Sequence, residues 1–305
     1  MAVPAGDLAL AAGIATEEGI TMGRAWATRA AVVAGAVCAA GSMSATAQAG
    51  AGTAPAQAAW GASAKIVSTA QSTSRSSSVQ GGHAGRHCPM PSFGPGGSYH
   101  PKIDPKSFTA KVTNPWFPLV VGRTMVYTGV KDGKRALNVI VVSRHVKRVD
   151  GVSTRVVEDR LYLNDVLEER TRDYYAQDRC GNVWYFGEDT ATLDARGKVT
   201  STDGSFHAGV DGAEPGVMMQ AKPEVGRWFR QEWYAGQAED RFKVISTRAT
   251  MTVPYGAFRR VLRTEERTRL EPDVDNKYYV RGVGEIFEGA VKGDQEALRL
   301  VEIIS

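Results

Sequence analysis

The feature that most constrains the fold is a succession of β-rich segments, separated by turn-forming dipeptides, that fills the chain from Pro101 onward. Asp-Gly or Asn-Asp pairs separate the first four segments, at 132–133, 150–151 and 164–165. Such pairs favour the two-residue turns of β-hairpins, because their residues readily adopt positive φ angles. We therefore predict an all-β domain, a single antiparallel, strongly curved sheet or open barrel with at most short helices.

The aromatic residues bear on the shape of this sheet. In NVWYFGE, Trp184 and Phe186 share one face of a strand and Tyr185 takes the other, because side chains alternate along a strand. The segment RWFRQEWY likewise carries aromatic residues on both faces. A curved sheet with a cavity or partner on its second side has such strands, and so does a two-layer sandwich. Both shapes stay open here, and the Gly- and Pro-rich stretch 204–226 is predicted to be one long lid loop.

The first third of the chain has the composition of an exported, unfolded sequence. Residues 22–49 contain two arginines, an apolar run and Ala-x-Ala cleavage candidates in that order, which is the layout of a secretory signal peptide. Residues 1–21 precede it and suggest a mis-assigned start. Residues 50–100 are rich in Ala, Ser and Gly, which predicts a disordered tail before a β domain at 101–305. We expect a secreted protein, extracellular or associated with the cell wall, with no transmembrane segment in the mature chain.

Two cysteines are left once the predicted signal peptide is removed, Cys88 and Cys180. Two cysteines in an oxidising compartment are candidates for a disulfide. Cys180 precedes a Gly-Asn pair and is therefore expected at the tip of a turn. We predict that the two cysteines pair, with two free thiols as the alternative.

A binding site is the first functional hypothesis, because a ligand pocket is usually lined by aromatic and apolar side chains with a few polar groups. The candidate lining residues are Trp184, Phe186, Trp228, Trp233 and Tyr234. They predict a secreted, monomeric binding protein for an apolar or amphipathic small molecule, a lipid or an envelope component. No cofactor is expected. A cell-surface interaction domain without a pocket is an alternative.

An enzyme is the other alternative. Glu232 with Glu239 or Asp240 could form a carboxylate pair across a hairpin, of the kind that glycoside hydrolases use, with His207 assisting. The same carboxylates could instead pair with neighbouring arginines across the strands. The chain has no G-x-S-x-G, H-E-x-x-H or P-loop motif, which lowers the expectation of catalysis.

Metal and nucleic-acid binding are not predicted. His207, Asp211 and Glu214 are residue types that bind divalent cations, but the glycines between them exclude the helix that would bring them together. A solvated surface loop is the favoured interpretation. The net charge of the full chain is +4, and no basic stripe indicates a nucleic-acid partner.

Six segments carry a resemblance to known proteins: NPWFPLVVGRTMVY, YYAQDRCGNVWYFGEDT, GVDGAEPGVMMQAKP, RQEWYAGQAED, TVPYGAF and KYYVRGVGEI. They resemble a family of uncharacterised exported bacterial β-sheet proteins, over 105–300, and this resemblance implies no activity. More loosely, the tyrosine pair that runs into RGVGEI is similar to closing strands of exported half-barrel proteins that carry lipids or bind envelope components. That similarity implies a binding function. The family pattern has no cysteine equivalent to Cys180, so it does not imply the disulfide.

Overall fold

The computed structural model describes residues 90–293 and 295–305, and the predicted signal peptide and most of the predicted tail lie outside this part. Helical structure within it is limited to two 3-10 turns, Gly96–Ser98 and Pro105–Ser107, and no helix there is long and apolar enough to cross a membrane. The strands are β1 (Phe108–Thr109), β2 (Thr124–Lys131), β3 (Lys134–Val149), β4 (Val152–Leu163), β5 (Val166–Asp178), β6 (Val183–Leu193), β7 (Val199–Ser201), β8 (Phe206–His207), β9 (Glu214–Met219), β10 (Trp228–Arg230), β11 (Glu232–Trp233), β12 (Arg241–Val253), β13 (Gly256–Arg267), β14 (Val274–Val280), β15 (Gly284–Lys292) and β16 (Glu296–Ile304).

The three predicted hairpin turns are confirmed. Residues 132–133, 150–151 and 164–165 connect β2 to β3, β3 to β4 and β4 to β5 as two-residue turns. Both residues of each turn have positive φ, between 46° and 73°. This is the geometry whose twist matches that of antiparallel strands, and Asp, Asn and Gly accept it with little strain. Local turn chemistry therefore builds the first half of the sheet.

The strands form one antiparallel sheet that almost closes into a barrel. Its order is β10-β12-β13-β14-β15-β16-β2-β3-β4-β5-β6-β9-β11. The two ends of this order, β10 and β11, are separated in the chain by Gln231 alone, so the chain itself crosses from one edge of the sheet to the other. The Gln231 amide N–H donates to the Asp240 carbonyl oxygen at 2.8 Å. The predicted strongly curved sheet or open barrel is confirmed, and the sandwich alternative is not observed.

We call the place where the two edges of the sheet meet, at Gln231, the seam. Close packing there depends on Gly216 of β9. A Cβ at this position would lie 2.2 Å from the carbonyl carbon of Gln231, which is far inside van der Waals contact. The stretch 204–226, predicted to be a lid loop, contains β8 and β9, and β9 belongs to the barrel wall between β6 and β11. The glycine that suggested a loop is therefore used for close approach between strands.

The segment before β2 covers the outer face of the barrel. The Phe108 ring packs edge-on against Trp184 and Phe186, with ring centroids 5.8 and 5.3 Å away. Residues 90–100, assigned to the tail from composition, also pack here: Tyr99 is buried and its hydroxyl donates to the Pro215 carbonyl oxygen at 3.1 Å. The folded domain therefore includes residues 90–100.

Candidate functional site

The barrel interior holds a cavity of about 440 Å³. Nine carboxyl side chains line it, together with two lysines and three tyrosines. The carboxyl groups belong to Asp159, Glu169, Asp173, Glu188, Glu232, Asp240, Glu266, Glu285 and Glu288. The tyrosines are Tyr127, Tyr175 and Tyr185, and the lysines are Lys131 and Lys277. The wall also contains Asn138, Gln231 and Gly284, and its apolar side chains are those of Phe117, Pro118, Leu119, Met125, Ile140, Val157, Met218, Val283 and Leu298. A cavity of this size is within the range of small-molecule sites.

Polarity changes along each of the strands β2 to β6. On β2, Met125 lies at the end of the barrel that the segment 110–123 enters, and Lys131 lies towards the opposite end. Because neighbouring strands are antiparallel, the chain direction reverses from one strand to the next, and the order is compared within each strand. Across strands the positions are staggered: Asp159 pairs with Ile140, and Asp173 pairs with Val157. The same order holds for Ile140 and Asn138 on β3, Val157 and Asp159 on β4, Tyr175 and Glu169 on β5, and Tyr185 and Glu188 on β6. On these five strands, we call the first side the apolar end of the cavity and the second the polar end.

Positive charge inside the cavity is already neutralised. The Lys277 ammonium lies 3.0 Å from Glu288 and 3.6 Å from Glu266, and the Lys131 ammonium lies 3.0 Å from Glu296. The remaining seven lining carboxyl groups make no salt bridge within the part of the chain that the structure describes. The cavity therefore has a large excess of acidic groups.

Burial raises the pKa values of the seven carboxyl groups that make no salt bridge, because the charged form loses its hydration. Burial and the neighbouring Asp173 raise the pKa of Asp159 to about 8. Burial raises the pKa of Asp173 to about 6, although a hydrogen bond from the Tyr185 hydroxyl at 2.7 Å favours its ionised form. Burial followed by the charge of Asp173 raises the pKa of Glu188. Near neutral pH, Asp159 is therefore largely protonated, whereas Asp173 is largely ionised.

Gln231 adds an unsatisfied acceptor to the cavity wall. Its Nε2 donates to Glu266 Oε2 at 3.1 Å, and its side chain is buried with 6% of its surface exposed. Its Oε1 has no hydrogen-bond partner among the described residues. A buried acceptor without a donor costs free energy, so this oxygen is expected to take a donor from a molecule in the cavity.

None of the five predicted lining aromatics lies along this cavity. The alternation along β6 is as predicted, but Tyr185 takes the inner face, and Trp184 and Phe186 pack outside against Phe108. A ligand contact for these two residues stays a prediction, and their positions give them a packing role.

The seam changes the alternation predicted for RWFRQEWY. Gln231 and its neighbour Glu232 both line the cavity, because the chain leaves one edge strand and enters the other between them. Trp228 packs on Phe93 at 6.2 Å, and Trp233 packs on the Arg230 guanidinium at 4.5 Å. Tyr234 lies at the following turn, where its amide N–H donates to the Ala238 carbonyl oxygen.

The predicted carboxylate pair is partly assembled. Glu232 and Asp240 both line the cavity, and Glu239 does not; its carboxylate accepts the Gly236 amide N–H at 2.9 Å in the turn between them. His207 is not at the cavity. Its Nε2 lies 2.8 Å from Asp189 Oδ1.

The three low-priority metal candidates are separated. His207 contacts Asp189, Glu214 Oε1 lies 2.7 Å from His100 Nδ1, and Asp211 is an exposed turn residue with a φ of 50°. No group of three His, Cys, Asp or Glu residues that could hold a metal ion occurs in 90–293 or 295–305.

Cys180 lies at the turn between β5 and β6, as predicted, and its amide N–H donates to Asp178 Oδ1 at 2.9 Å. Cys88 lies outside the described residues. The bond between the two cysteines stays a prediction.

Sequence reasoning missed the acidic lining because its members are spread over many strands. A local signal exists: along β4 the inward positions Val157, Asp159 and Leu161 place one carboxyl group between two apolar residues. A charged residue at a position where the alternation predicts a buried apolar one points to a polar interior.

Comparison with known proteins gives little. No protein-family model matches the chain, and no curated protein matches it. A solved structure of a predicted exported protein with a YmcC-like fold, from Bacteroides fragilis, is similar with a TM-score of 0.37 and 13% identity, over 62% of this chain and 99% of its own. A predicted lipoprotein from Parabacteroides distasonis is similar with a TM-score of 0.35 and 10% identity, over 63% of this chain and 99% of its own.

Proposed function

We propose that this chain is an exported binding protein that takes an amphipathic small molecule into the barrel interior. The observation that carries the proposal is the cavity of about 440 Å³, whose wall combines apolar side chains with acidic ones. An interior this large, left unfilled by side chains, is unusual in a packed protein, where interiors are dense. A ligand in the cavity would pack against its apolar side chains and form hydrogen bonds with its polar ones.

The lining favours an amphipathic ligand over a purely apolar one. Burying an apolar molecule against unpaired carboxyl groups would remove their remaining hydration without replacing it. A molecule with a chain at the apolar end, beside Met125 and Ile140, and a polar group at the other end meets both parts of the wall. The cavity also favours a binding protein over the alternative of a cell-surface interaction domain without a pocket.

The proposal is tested by filling the apolar end. Ile140→Trp puts a larger side chain into the cavity, and Val130→Trp makes the same kind of change at an exposed position of β2. We expect wild type and Val130→Trp to bind at least one of three ten-carbon probes, decylamine, decanol or decanoate, in calorimetry below the micelle-forming concentrations. Ile140→Trp should bind none while melting cooperatively. Wild type that binds none of the probes, or Ile140→Trp that binds as wild type does, overturns the proposal.

A second candidate is hydrolysis of a carbohydrate, favoured by Glu232 and Asp240 lying in one cavity with different environments. Burial and the charge of Asp240 raise the pKa of Glu232, and burial and Glu266 raise the pKa of Asp240 to about 6. Unequal carboxyl groups can act as acid and base. Turnover of nitrophenyl glycosides by wild type, lost in Asp240→Asn and kept in Glu239→Gln, would support this candidate. Absence of turnover by wild type would remove it.

A further inference from the structure

We infer that the polar end of the cavity binds the cationic group of its ligand, an amine or a guanidinium, in preference to a neutral or anionic group. The inference rests on the proposed function, because it names the ligand class of the same cavity. Three observations carry it: the charge excess, an unsatisfied acceptor, and the arrangement of the carboxyl groups.

The charge excess is intrinsic to the barrel wall. Lys277 is held by Glu266 and Glu288, and Lys131 by Glu296, so neither lysine is left to compensate the other lining carboxyl groups. An anionic ligand would add like charge to a poorly hydrated space. A cation would replace water as the partner of these groups and form charge-assisted hydrogen bonds, which are about twice as strong as neutral ones.

Gln231 is an independent observation of the same preference. Its Oε1 is an acceptor without a donor in the described part of the chain. Only 6% of the surface of Gln231 is exposed, so the residue is more than nine-tenths buried. An amide oxygen accepts from N–H or O–H and cannot donate, so it discriminates against carboxylate and phosphate ligands. An ammonium or guanidinium group brings several N–H donors and could satisfy Gln231 and a carboxylate at once.

The arrangement of the carboxyl groups suits an organic cation better than a metal ion. Asp173 and Glu188 are neighbours on β5 and β6, whereas Glu232 lies on β11, which β9 separates from β6. No group of three that could hold a metal ion occurs among the described residues. An ammonium group at the end of an alkyl chain can reach a few of these carboxylates by hydrogen bonds of ordinary length, while the chain packs at the apolar end.

The test compares three probes of equal chain length that carry a positive, neutral or negative head: decylamine, decanol and decanoate. Binding of each is measured by calorimetry near neutral pH, below the micelle-forming concentrations. We expect decylamine to bind wild type about tenfold or more tightly than decanol, the factor that one charge-assisted hydrogen bond is worth. Decanoate should bind weakest.

Variants locate the effect in the cavity. Glu188→Gln keeps the shape of the side chain and removes its charge, and Asp203→Asn does the same at an exposed position. Glu188→Gln should weaken decylamine binding by about tenfold and leave decanol binding unchanged, whereas Asp203→Asn should change neither. Asp173→Asn is a second variant with the same expectation.

The outcomes separate the two proposals. Decanol or decanoate binding as tightly as decylamine overturns the cation preference and leaves the binding function standing. Glu188→Gln and Asp173→Asn weakening all three probes equally also overturns it, because their effect is then on the fold of the cavity. If wild type binds none of the three probes, both proposals fail together.

Discussion

Asp173 on β5 and Glu188 on β6 are paired directly across the two strands, and both side chains line the cavity. Like charges in this position destabilise a sheet. The hydroxyl of Tyr185 donates to Asp173 at 2.7 Å, and no salt bridge to either carboxyl group occurs within the described residues. The pair is therefore an unfavourable interaction that a protein optimised only for stability would lack, as functional sites often do.

Glu188→Gln should stabilise the ligand-free protein by about 1 kcal/mol, because it removes one of two opposed carboxyl groups and keeps the shape of the side chain. Urea unfolding of wild type, Glu188→Gln and the exposed control Asp203→Asn measures the difference. The control is expected to stay within about 0.5 kcal/mol of wild type. A loss of stability in Glu188→Gln would show that this carboxylate has a stabilising partner.

Stability should fall as pH rises through the neutral range. Burial raises the pKa of Asp159 and of Glu285 from their ordinary values of 3.8 and 4.5 to about 8. The folded state therefore binds these protons more tightly than the unfolded state does. Their contribution to stability is complete below the unfolded pKa values and is lost as pH rises through the folded ones.

The measurement is the melting temperature of the ligand-free protein at about pH 5 and about pH 8 at one ionic strength, the window over which these groups titrate. We expect a lower melting temperature at the higher pH. Asp159→Asn should reduce this drop, and Asp203→Asn should leave it unchanged. An equal or higher melting temperature at the higher pH contradicts the burial of these groups in acid form.

Gly216→Ala should destabilise the barrel by more than about 3 kcal/mol, because the added Cβ would collide with backbone atoms that cannot rotate away. The atom would lie 2.2 Å from the Gln231 carbonyl carbon. Gly97→Ala is the matched control, since a Cβ there would meet nothing within 4 Å. Thermal unfolding of the two variants measures the contrast. Equal melting temperatures would mean that the seam between β9 and residue 231 is wider than described.

Arg230→Lys should destabilise the domain by about 2 kcal/mol, because a lysine cannot reproduce both the stacking and the forked hydrogen bonds of a guanidinium. Arg230 is buried, lies over the rings of Phe93 and Trp233 at 4.7 and 4.5 Å, and donates to the Phe93 and Gly94 carbonyl oxygens at 3.3 and 3.0 Å.

Arg196→Lys serves as its control, because Arg196 is exposed on a turn away from residues 90–100. Its stability should change by less than about 0.5 kcal/mol. Denaturant unfolding compares the two variants with wild type. If Arg230→Lys is as stable as wild type, residues 90–100 are not held to the barrel through this side chain.

Hairpins and strand faces could be predicted from the sequence because they depend on neighbours in the chain. The Asp-Gly pair at 132–133 forms its turn through its own φ preferences, and the opposite orientations of Trp184 and Tyr185 follow from strand geometry. Which of those two faces becomes the inside is a different question. Aromatic residues occupy both, and the larger apolar pair, Trp184 and Phe186, suggested an interior that the structure places on the outside, beneath Phe108.

The sequence by itself therefore determined the class of the fold, its turns and the periodicity of its strands, since each is a property of a few adjacent residues. Only the tertiary structure decided the closure at Gln231 and the acidic interior. The salt bridge between Lys131 and Glu296 joins residues 165 positions apart, and the lining carboxyl groups come from strands throughout the sheet. Their meeting depends on strand order and register, which are set by packing over the whole barrel and by no local pattern.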